Sequence, residues 1–496
     1  MNIKNISKYI VLLALGGSSL FTFSGCNDFL TTIPESTYSA AGSYQTQADF
    51  NYAIAAVYAS QQDLYNTNAS WARLIITRSD DTRTGATYVN GVDQFIDTDA
   101  VDHLTKFWQV GWQMISRCNM LLDRIDAVEF QDAELKNSIK GEAYALRAWT
   151  YHYLGWQFGG MPLIDHELTV AETLQMPRST QEQTFEFAAN DYKKAIELLP
   201  EKWSGDDLGR VTKYAAEGGL ARLLMFQSKF SEAKSYLADI INSGLYAMEE
   251  EYVNCFTDSH DNGKERVWEI QFTGNLLGEG QNFASGMVPE TYPGGDFFPF
   301  GGWSSYIYVS NSMVNAYEEG DLRKDVSVIT NIMNDGVIDT KYFIRKFCHF
   351  EAYVPQNRGD MANNIPVIRY TDVKMMYAEC LNEEGYVANG EAFNILNEVR
   401  RRAGLPELTS ATVPTQDAFR KALIQERRVE FAFEGLRWMD LVRWGIAKEV
   451  MNEFFKEKDE GDGLYSMEDF RTVFAIPHVE IERYNNKDIM WQNSGY

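Results

Sequence analysis

The sequence contains few of the residues that cross-link small exported proteins or bind transition metals. Its 496 residues include 5 cysteines and 6 histidines, and no two cysteines are spaced as C-x-x-C. We therefore expect no zinc site and predict no disulfide, although the spacings do not exclude one. Cys118 and Cys380 fall within helical patterns and are expected to be core thiols, as small apolar residues.

Basic residues are also scarce, since 45 lysines and arginines stand against 70 aspartates and glutamates and give a net charge of −25. An anionic protein is repelled by nucleic acid and by anionic membrane surfaces, so neither is expected as a partner. Beyond Leu30 no apolar stretch is long enough to cross a bilayer. There is no P-loop, dinucleotide fingerprint, H-E-x-x-H or G-x-S-x-G motif, and we expect no cofactor and no metal.

The beginning of the chain has the layout of an export signal. Lys4 and Lys8 precede a short apolar run, and small residues then lead through Ser-Gly to Cys26. A cysteine after Ser-Gly is typical of lipoprotein cleavage, so residues 1–25 are predicted to be a signal peptide and Cys26 the lipidated, palmitate-bearing first residue. Residues 26–46 are small and polar and are interpreted as a tether. The alternative is ordinary cleavage nearby, which would leave a soluble periplasmic protein.

Helical periodicity dominates the remaining chain. Apolar residues from Leu104 to Ile125 keep to one face, and a partner helix from Leu135 to about Phe158 ends at Gly159-Gly160. Two later stretches, 214–241 and 376–403, resemble tetratricopeptide-like helix pairs, because small residues recur where two helices approach. We predict one mainly α domain, residues 47–496, with a helical scaffold and a loop-rich insertion at about 255–370 that contains minor β structure.

The stretch from Glu426 to Trp444 alternates charged and aromatic residues unusually densely. Arg427, Glu430, Glu434 and Arg437 lie on one helical row, three or four residues apart, and are predicted to be within reach of one another. Gly435 is expected to end or bend the helix. Apolar residues interleave as core residues do, so the block is interpreted as a half-buried structural lock; the alternative is an active site with paired carboxylates.

This block and the preceding NEVRRRAGL, Asn397 to Leu405, closely resemble the C-terminal signature of the SusD/RagB family. The segment from Glu142 to Pro162 and the tail from Phe474 to Tyr496 resemble it as well, except that Asn486 replaces the family's usual proline. The resemblance implies a SusD-like α-helical fold and a glycan-binding lipoprotein without enzymatic activity. It also implies an anchor in the outer membrane, facing the cell exterior, and a SusC-like TonB-dependent transporter as the partner that receives the nutrient.

Three other functions are compatible with the sequence. A RagB-like protein would bind peptides instead of glycans, and an envelope scaffold would use its tetratricopeptide-like grooves for protein partners. A surface hydrolase is the third, because the many carboxylates make chance acidic pairs inevitable, although no specific motif supports it.

The insertion contains the strongest candidates for ligand contact. Eight aromatic residues lie between Phe283 and Tyr308, together with glycines and prolines that disfavour helix and regular strand. A flat aromatic ring stacks on the apolar face of a sugar, and tyrosine and tryptophan add a polar group. Tyr292, Trp303, Tyr306 and Tyr308 are therefore candidate ligand residues. The alternative is that these rings bury one another.

A second patch lies nearer the start of the chain. Asn68 and Trp71 are followed by Asp80, Asp81 and Arg83, which together offer the mixed donors and acceptors that a hydroxyl-rich ligand requires. These residues are predicted to contact ligand; alternatively, the two aspartates cap a turn or contact the transporter. The aspartates that follow, between positions 93 and 102, lack the glycine and terminal glutamate of an EF-hand, so calcium is not expected.

Overall fold

Helices form most of the regular structure, which confirms the predicted mainly α fold class. The structure is a computed structural model and describes residues 44–66, 71–84, 91–289, 302, 307–330, 333–334, 337–338 and 341–496. The helices are α1 Gln47–Tyr65, α2 Trp71–Leu74, α3 Asp102–Ile125, α4 Ala133–Phe158, α5 Val170–Thr173, α6 Gln181–Leu198, α7 Lys213–Phe226, α8 Phe230–Asn242, α9 Asn311–Ala316, α10 Arg323–Ser327, α11 Tyr370–Glu384, α12 Glu391–Arg402, α13 Gln416–Glu430, α14 Leu436–Arg443, α15 Ala447–Phe454 and α16 His478–Tyr484.

The strands are short and pair in antiparallel twos: β1 with β3, β2 with β8, β4 with β7 and β5 with β6. They are β1 Thr82–Thr84, β2 Arg266–Ile270, β3 Ile307–Val309, β4 Val328–Ile329, β5 Met333–Asn334, β6 Val337–Ile338, β7 Phe343–Ile344 and β8 Ile365–Arg369. Most of them lie in the insertion, where the sequence predicts minor β structure.

The long helices pack in series, each against the next: α1 on α3, then α4, α6, α7 and α8. The predicted pairs are present as α7 with α8 and as α11 with α12, and α8 packs directly on α11. The two hairpins are thus neighbours in space, although the insertion separates them in the chain. A hydrophobic core from Met375 through Phe393 and Leu396 to Phe419 continues the packing through α11, α12 and α13.

The insertion begins and ends at the same place on this scaffold. β2 follows α8 and pairs antiparallel with β8, which runs directly into α11. All five residues of each strand are buried. The two ends of the insertion between α8 and α11 therefore lie side by side, and α11 packs on α8 as the next helix of the series.

Local chemistry explains where the helices begin and end. Thr46 and Asp49 form a reciprocal capping box at the start of α1, with the Thr46 hydroxyl accepting from Asp49 N at 3.3 Å and the Asp49 carboxylate accepting from Thr46 N at 2.8 Å. α4 ends at Phe158, as predicted, before Gly159 with φ +80°. At Gly160 a Cβ would lie 1.7 Å from Ser179 O, so this close backbone approach requires glycine.

Residues Thr46–Tyr496 form one compact unit by their contacts. Cys118 on α3 and Cys380 on α11 are buried, as predicted for core thiols, and Cys255 and Cys348 are buried as well. No helix in the described part of the chain is both long enough and apolar enough to cross a bilayer. Cys26 and the predicted signal peptide lie outside the described residues.

Candidate functional site

The two segments predicted to contact ligand lie side by side. β1 pairs antiparallel with β3 in the register Thr82 with Val309, Arg83 with Tyr308 and Thr84 with Ile307. The contact continues beyond the strands, because Ser310 donates its hydroxyl to Asp80 O at 2.6 Å and its amide to Asp81 O at 3.0 Å. Two regions more than 200 residues apart in the sequence therefore share one small sheet.

Trp71 joins the same two regions, but it does so from inside the core. Its ring stacks on Tyr65 at a centroid distance of 4.5 Å and meets Phe283 edge-on at 6.1 Å. Trp71 is only 3% exposed, and so is Phe283. The ring is therefore enclosed by aromatic neighbours and holds the two segments together, and ligand contact by Trp71 stays a prediction.

Asp80 and Asp81 are buried and already engaged by arginines. Arg437 donates from Nε and Nη2 to the two carboxylate oxygens of Asp80 at 2.8 and 2.9 Å. Arg428 donates Nε to Asp81 Oδ1 at 2.9 Å and also pairs with Asp80. Burial acts to raise the pKa of Asp80, but Arg428 and Arg437 outweigh it and hold that pKa well below its usual range. These carboxylates attach the segment before β1 to the helices, and ligand contact by Asp80 and Asp81 stays a prediction.

Arg83 and Tyr308 face each other across the paired strands. Arg83 is 7% exposed and lies 3.6 Å, Nε to Oδ2, from Asp93, so its charge is used within the fold and direct ligand contact is not favoured. Tyr308 is half-buried, with the ammonium of Lys341 5.2 Å from its ring centroid. Burial raises the pKa of Tyr308, so its hydroxyl stays protonated and able to donate. Tyr308 is the described candidate whose side chain keeps an accessible part.

Four further candidates, Asn68, Tyr292, Trp303 and Tyr306, lie outside the described residues. Their chain neighbours are described: Asn66 accepts from Asn282 N at 3.2 Å, and the last three precede β3 in the sequence. Ligand contact by these four residues stays a prediction.

Two of the aspartates between positions 93 and 102 are paired with arginines. Asp97 pairs with Arg78 at 3.4 Å, Asp93 with Arg83, and Asp102 begins α3. Across the described ranges, no group of three or more His, Cys, Asp or Glu side chains is placed to hold a metal ion.

The C-terminal block is the buried lock that the sequence predicts, but its charges are paired differently. Gly435 adopts φ +77° between α13 and α14, so Glu430 and Arg437 do not share one helical row. Within the block, Asp440 pairs with Arg427 and Arg443, and most of the other charged residues bind distant segments. Arg427 binds Asp372 at 2.8 Å, and Glu434 binds Lys346 at 2.7 Å. The predicted pairing along a single helix row is therefore wrong, because the chain turns after Glu430.

Glu430 lies at the centre of a cluster of buried ion pairs. It is fully buried and accepts from Arg402 at 2.6 Å, from Arg369 at 3.0 Å and from Arg323 at 3.2 Å. Burial alone would raise its pKa, but the arginines keep it far below the usual value and the group stays ionised. Paired, buried charges that each use several hydrogen bonds rigidify a fold and bring specificity at little net gain in stability.

Lys346 is a member of this cluster that the sequence interpretation missed. Its ammonium is buried and donates to Glu430 O, Ala432 O and Glu434 Oε1 at 3.1, 2.9 and 2.7 Å. Burial lowers its pKa to about 8, against the pull of Glu434. The sequence did contain an indication of this role. Arg345 and Lys346 lie within the mainly apolar stretch from Tyr342 to Phe350, and a charged residue that is buried with such a stretch requires a buried partner.

Comparison with known proteins adds family information to this geometry. A family model described as "SusD family" matches residues 273–496, and another described as "Starch-binding associating with outer membrane" matches residues 28–225. A SusD-like protein of Formosa agariphila is 25% identical over 90% of this chain and 93% of its own length. A SusD-like protein of Bacteroides ovatus is 27% identical over 94% of this chain and 88% of its own.

Solved structures share the fold. The surface glycan-binding protein A of Bacteroides fluxus superposes with a TM-score of 0.79 at 24% identity, covering 91% of this chain and 100% of its own. The protein of the same name from Bacteroides thetaiotaomicron, solved in complex with laminarihexaose, gives 0.77 at 21% identity, covering 90% and 100%. Both likenesses concern the fold alone.

Proposed function

We propose that this chain, which belongs to the SusD family, binds glycans at the outer surface of the outer membrane and delivers them to a TonB-dependent transporter. One observation supports the location of binding more than any other: the pairing of β1 with β3. It joins one short strand from each candidate segment, and this pairing supports a shared ligand surface on the helical scaffold. Loops on a rigid scaffold are the usual carriers of binding function.

The aromatic residues that enter β3 supply the stacking surface in this proposal. Tyr292, Trp303 and Tyr306 precede β3 in the chain, and Tyr308 is part of it. Phenol and indole rings would lie against the C–H faces of the sugar rings, while the Tyr308 hydroxyl and Asn68 would bond ligand hydroxyls. The buried members Trp71, Asp80, Asp81 and Arg83 would act by holding this surface in place.

Binding without catalysis is the second part of the proposal. Glycoside hydrolysis needs two carboxylic groups free to act as acid and as nucleophile or base. Asp80 and Asp81 are the carboxylates among the predicted site residues. They pair with Arg428 and Arg437, and that geometry suits a structural role. The relatives bear the names of glycan-binding and starch-binding proteins, which agrees with binding as the task.

Anchoring and delivery complete the proposal. Lipidation at Cys26 would fix the protein to the outer membrane through the predicted tether, residues 26–46, and the scaffold would meet a transporter there. One family model is described as associating with the outer membrane. Several acyl chains, each methylene contributing about 0.8 kcal/mol, would make that anchor stable.

Titration of purified protein with glycans tests the binding site. The probes are laminarihexaose, maltohexaose and a panel of soluble polysaccharides, added to Cys26→Ala protein, which lacks the predicted lipidated residue. We expect one glycan class to bind, and Trp303→Ala with Tyr308→Ala to weaken it at least tenfold. Tyr52→Ala is the matched control, because Tyr52 is 76% exposed on α1. Unchanged affinity in the double variant would move the site elsewhere, and binding of peptides alone would replace the glycan proposal.

A further inference from the structure

A cavity lies away from the paired strands. It has a volume of about 420 Å³ and is formed by α3, by the segment from Ile164 to Leu174 that follows α4, and by α16. None of its lining residues belongs to the segments around β1 or β3. Its size is within the range of small-ligand sites, which are about 300–1,000 Å³.

One wall of this cavity is made of two tryptophans on α3. Trp108 and Trp112 are four residues apart and therefore point to the same side of the helix. Their centroids are 6.1 Å apart. Trp108 is buried against the edge of Phe158 at 5.2 Å, whereas Trp112 is only partly buried and is steadied by Tyr151 at 6.1 Å. The result is a fixed aromatic wall in which the Trp112 ring has an open part.

Trp112 also has an unused polar group. Among the described residues, no hydrogen bond engages its indole N–H, unlike that of Trp203, which donates to Val211 O at 2.9 Å. An indole that combines an open ring with a free donor is suited to a ligand that is apolar on its face and polar at its edge.

Polar side chains of both kinds surround that wall. Arg483 donates to the two carboxylate oxygens of Glu480 at 2.9 and 2.7 Å, and Gln109 donates to the same carboxylate at 3.4 Å. Gln113, one turn from Gln109 on α3, is exposed at the cavity. Donors and acceptors are thus both available to ligand hydroxyls.

The carboxylates and the guanidinium that line the cavity are each paired with a group of opposite charge. Glu480 is paired with Arg483, Glu167 is paired with Arg124, and His166 with Asp165. A site for an anionic or cationic ligand would carry an excess of the opposite charge. Because the lining charges are already paired, the aromatic wall favours a neutral ligand that is rich in hydroxyl groups.

We infer that this cavity is a second carbohydrate site, which takes one or two neutral sugar units of a glycan whose other units occupy the loop site. The inference rests on the proposed function, because it assumes that the protein binds glycans. Two sites that engage one polymer raise the apparent affinity without any new contact at either site, provided that the chain spans them. The cavity would therefore matter more for polysaccharides than for short oligosaccharides.

Removal of the open ring is the direct test. Trp112→Ala is compared with Trp203→Ala, which removes a half-buried tryptophan elsewhere, by calorimetric titration with laminarihexaose, maltohexaose and the polysaccharides laminarin and amylopectin. We expect Trp112→Ala to weaken polysaccharide binding at least fivefold and to lower the number of hexasaccharide molecules bound from two to one. Trp203→Ala should leave both quantities unchanged.

The outcomes separate this inference from the proposed function. If no glycan binds the unmodified protein, both fail. If glycans bind but Trp112→Ala leaves affinity and stoichiometry unchanged, the cavity inference fails alone. If Trp112→Ala does not fold, the same titrations are made with Gln113→Ala and Arg483→Ala, which change exposed residues of the cavity. Unchanged binding in both variants overturns the inference. A shift of the Trp112 resonance in 5-fluorotryptophan-labelled protein, assigned with Trp112→Phe, would support it directly.

Discussion

Arg437 and Asp80, which are 357 positions apart in the sequence, form a bidentate salt bridge, with Nε to Oδ1 at 2.8 Å and Nη2 to Oδ2 at 2.9 Å. Arg437 belongs to the C-terminal block, and Asp80 precedes β1. The pair therefore ties the C-terminal lock to the segment that leads into the proposed ligand site. Parallel N–H···O bonds between guanidinium and carboxylate fix orientation as well as distance.

Asp80→Ala should strongly destabilise the protein. The substitution leaves Arg437 and Arg428 buried without this carboxylate, and breaking such a pair costs about 3–5 kcal/mol. The midpoint of urea unfolding, followed by circular dichroism, measures the change. Asp417→Ala is the control, because Asp417 pairs with Arg420 at the surface, and its loss should cost less than about 1 kcal/mol. Equal shifts for the two variants would contradict the structural role of Asp80.

Gly435→Ala should cost more stability than Gly445→Ala. Both glycines have positive φ, +77° and +71°, which alanine adopts at a cost of about 1–2 kcal/mol. A Cβ at Gly435 would also lie 2.4 Å from a ring carbon of Trp71, whereas nothing lies within 4 Å at Gly445. We expect the difference between the two variants to be at least about 1 kcal/mol by denaturant unfolding. Indistinguishable variants would show that Trp71 does not pack on the turn.

Stability should fall with rising pH because of Glu217. Burial raises its pKa from 4.5 to about 8, with Asp239 adding to the effect and Lys213 opposing it. The folded protein therefore holds this proton more tightly than the unfolded chain. The stability that Glu217 contributes is present below pH 4.5 and is lost as the pH rises through about 8.

Glu217→Gln should remove this loss. The variant should gain stability relative to the unmodified protein as the pH rises from 5 to 8, by up to about 1.4 kcal/mol per pH unit. Urea unfolding at several pH values measures it, with Glu197→Gln on α6 as the exposed control. Parallel stability curves for Glu217→Gln and the unmodified protein would contradict the assignment.

Cys26→Ala should release the protein from the membrane fraction. If Cys26 carries the acyl chains, the variant loses its anchor, while the domain from Thr46 onward keeps its fold. Fractionation of cells followed by immunoblotting measures the distribution, and circular dichroism verifies the fold. Equal membrane association of the variant would argue for ordinary signal cleavage and another means of attachment.

Much of the helical scaffold was predictable, because the core-facing residues of a helix recur at a fixed spacing in the sequence. The apolar face from Leu104 to Ile125 and the stop at Gly159 follow from spacing within one element. The same periodicity did not tell core from cavity: Trp112 has the spacing of a core residue, yet part of its ring is open. Which side of a helix is covered depends on what the rest of the chain places against it.

In and around the candidate site, the residue types indicated that charges would be paired, but the sequence did not indicate which residues pair with each other. Spacing suggested that Arg437 pairs within its own block, but its carboxylate is Asp80, brought there by the turn at Gly435. Lys346 was overlooked because its three acceptors come from a segment more than 80 residues away.

Taken by itself, the sequence determined the helical class, the position of the helix pairs and the existence of a charged, aromatic lock, because each is written in short-range periodicity and composition. Only the tertiary structure decided that β1 lies against β3, that Trp71 and Asp80 are enclosed, and that α8 meets α11 across the insertion. Those outcomes depend on contacts between distant segments, whose burial and charge pairing are settled only when the whole chain is packed.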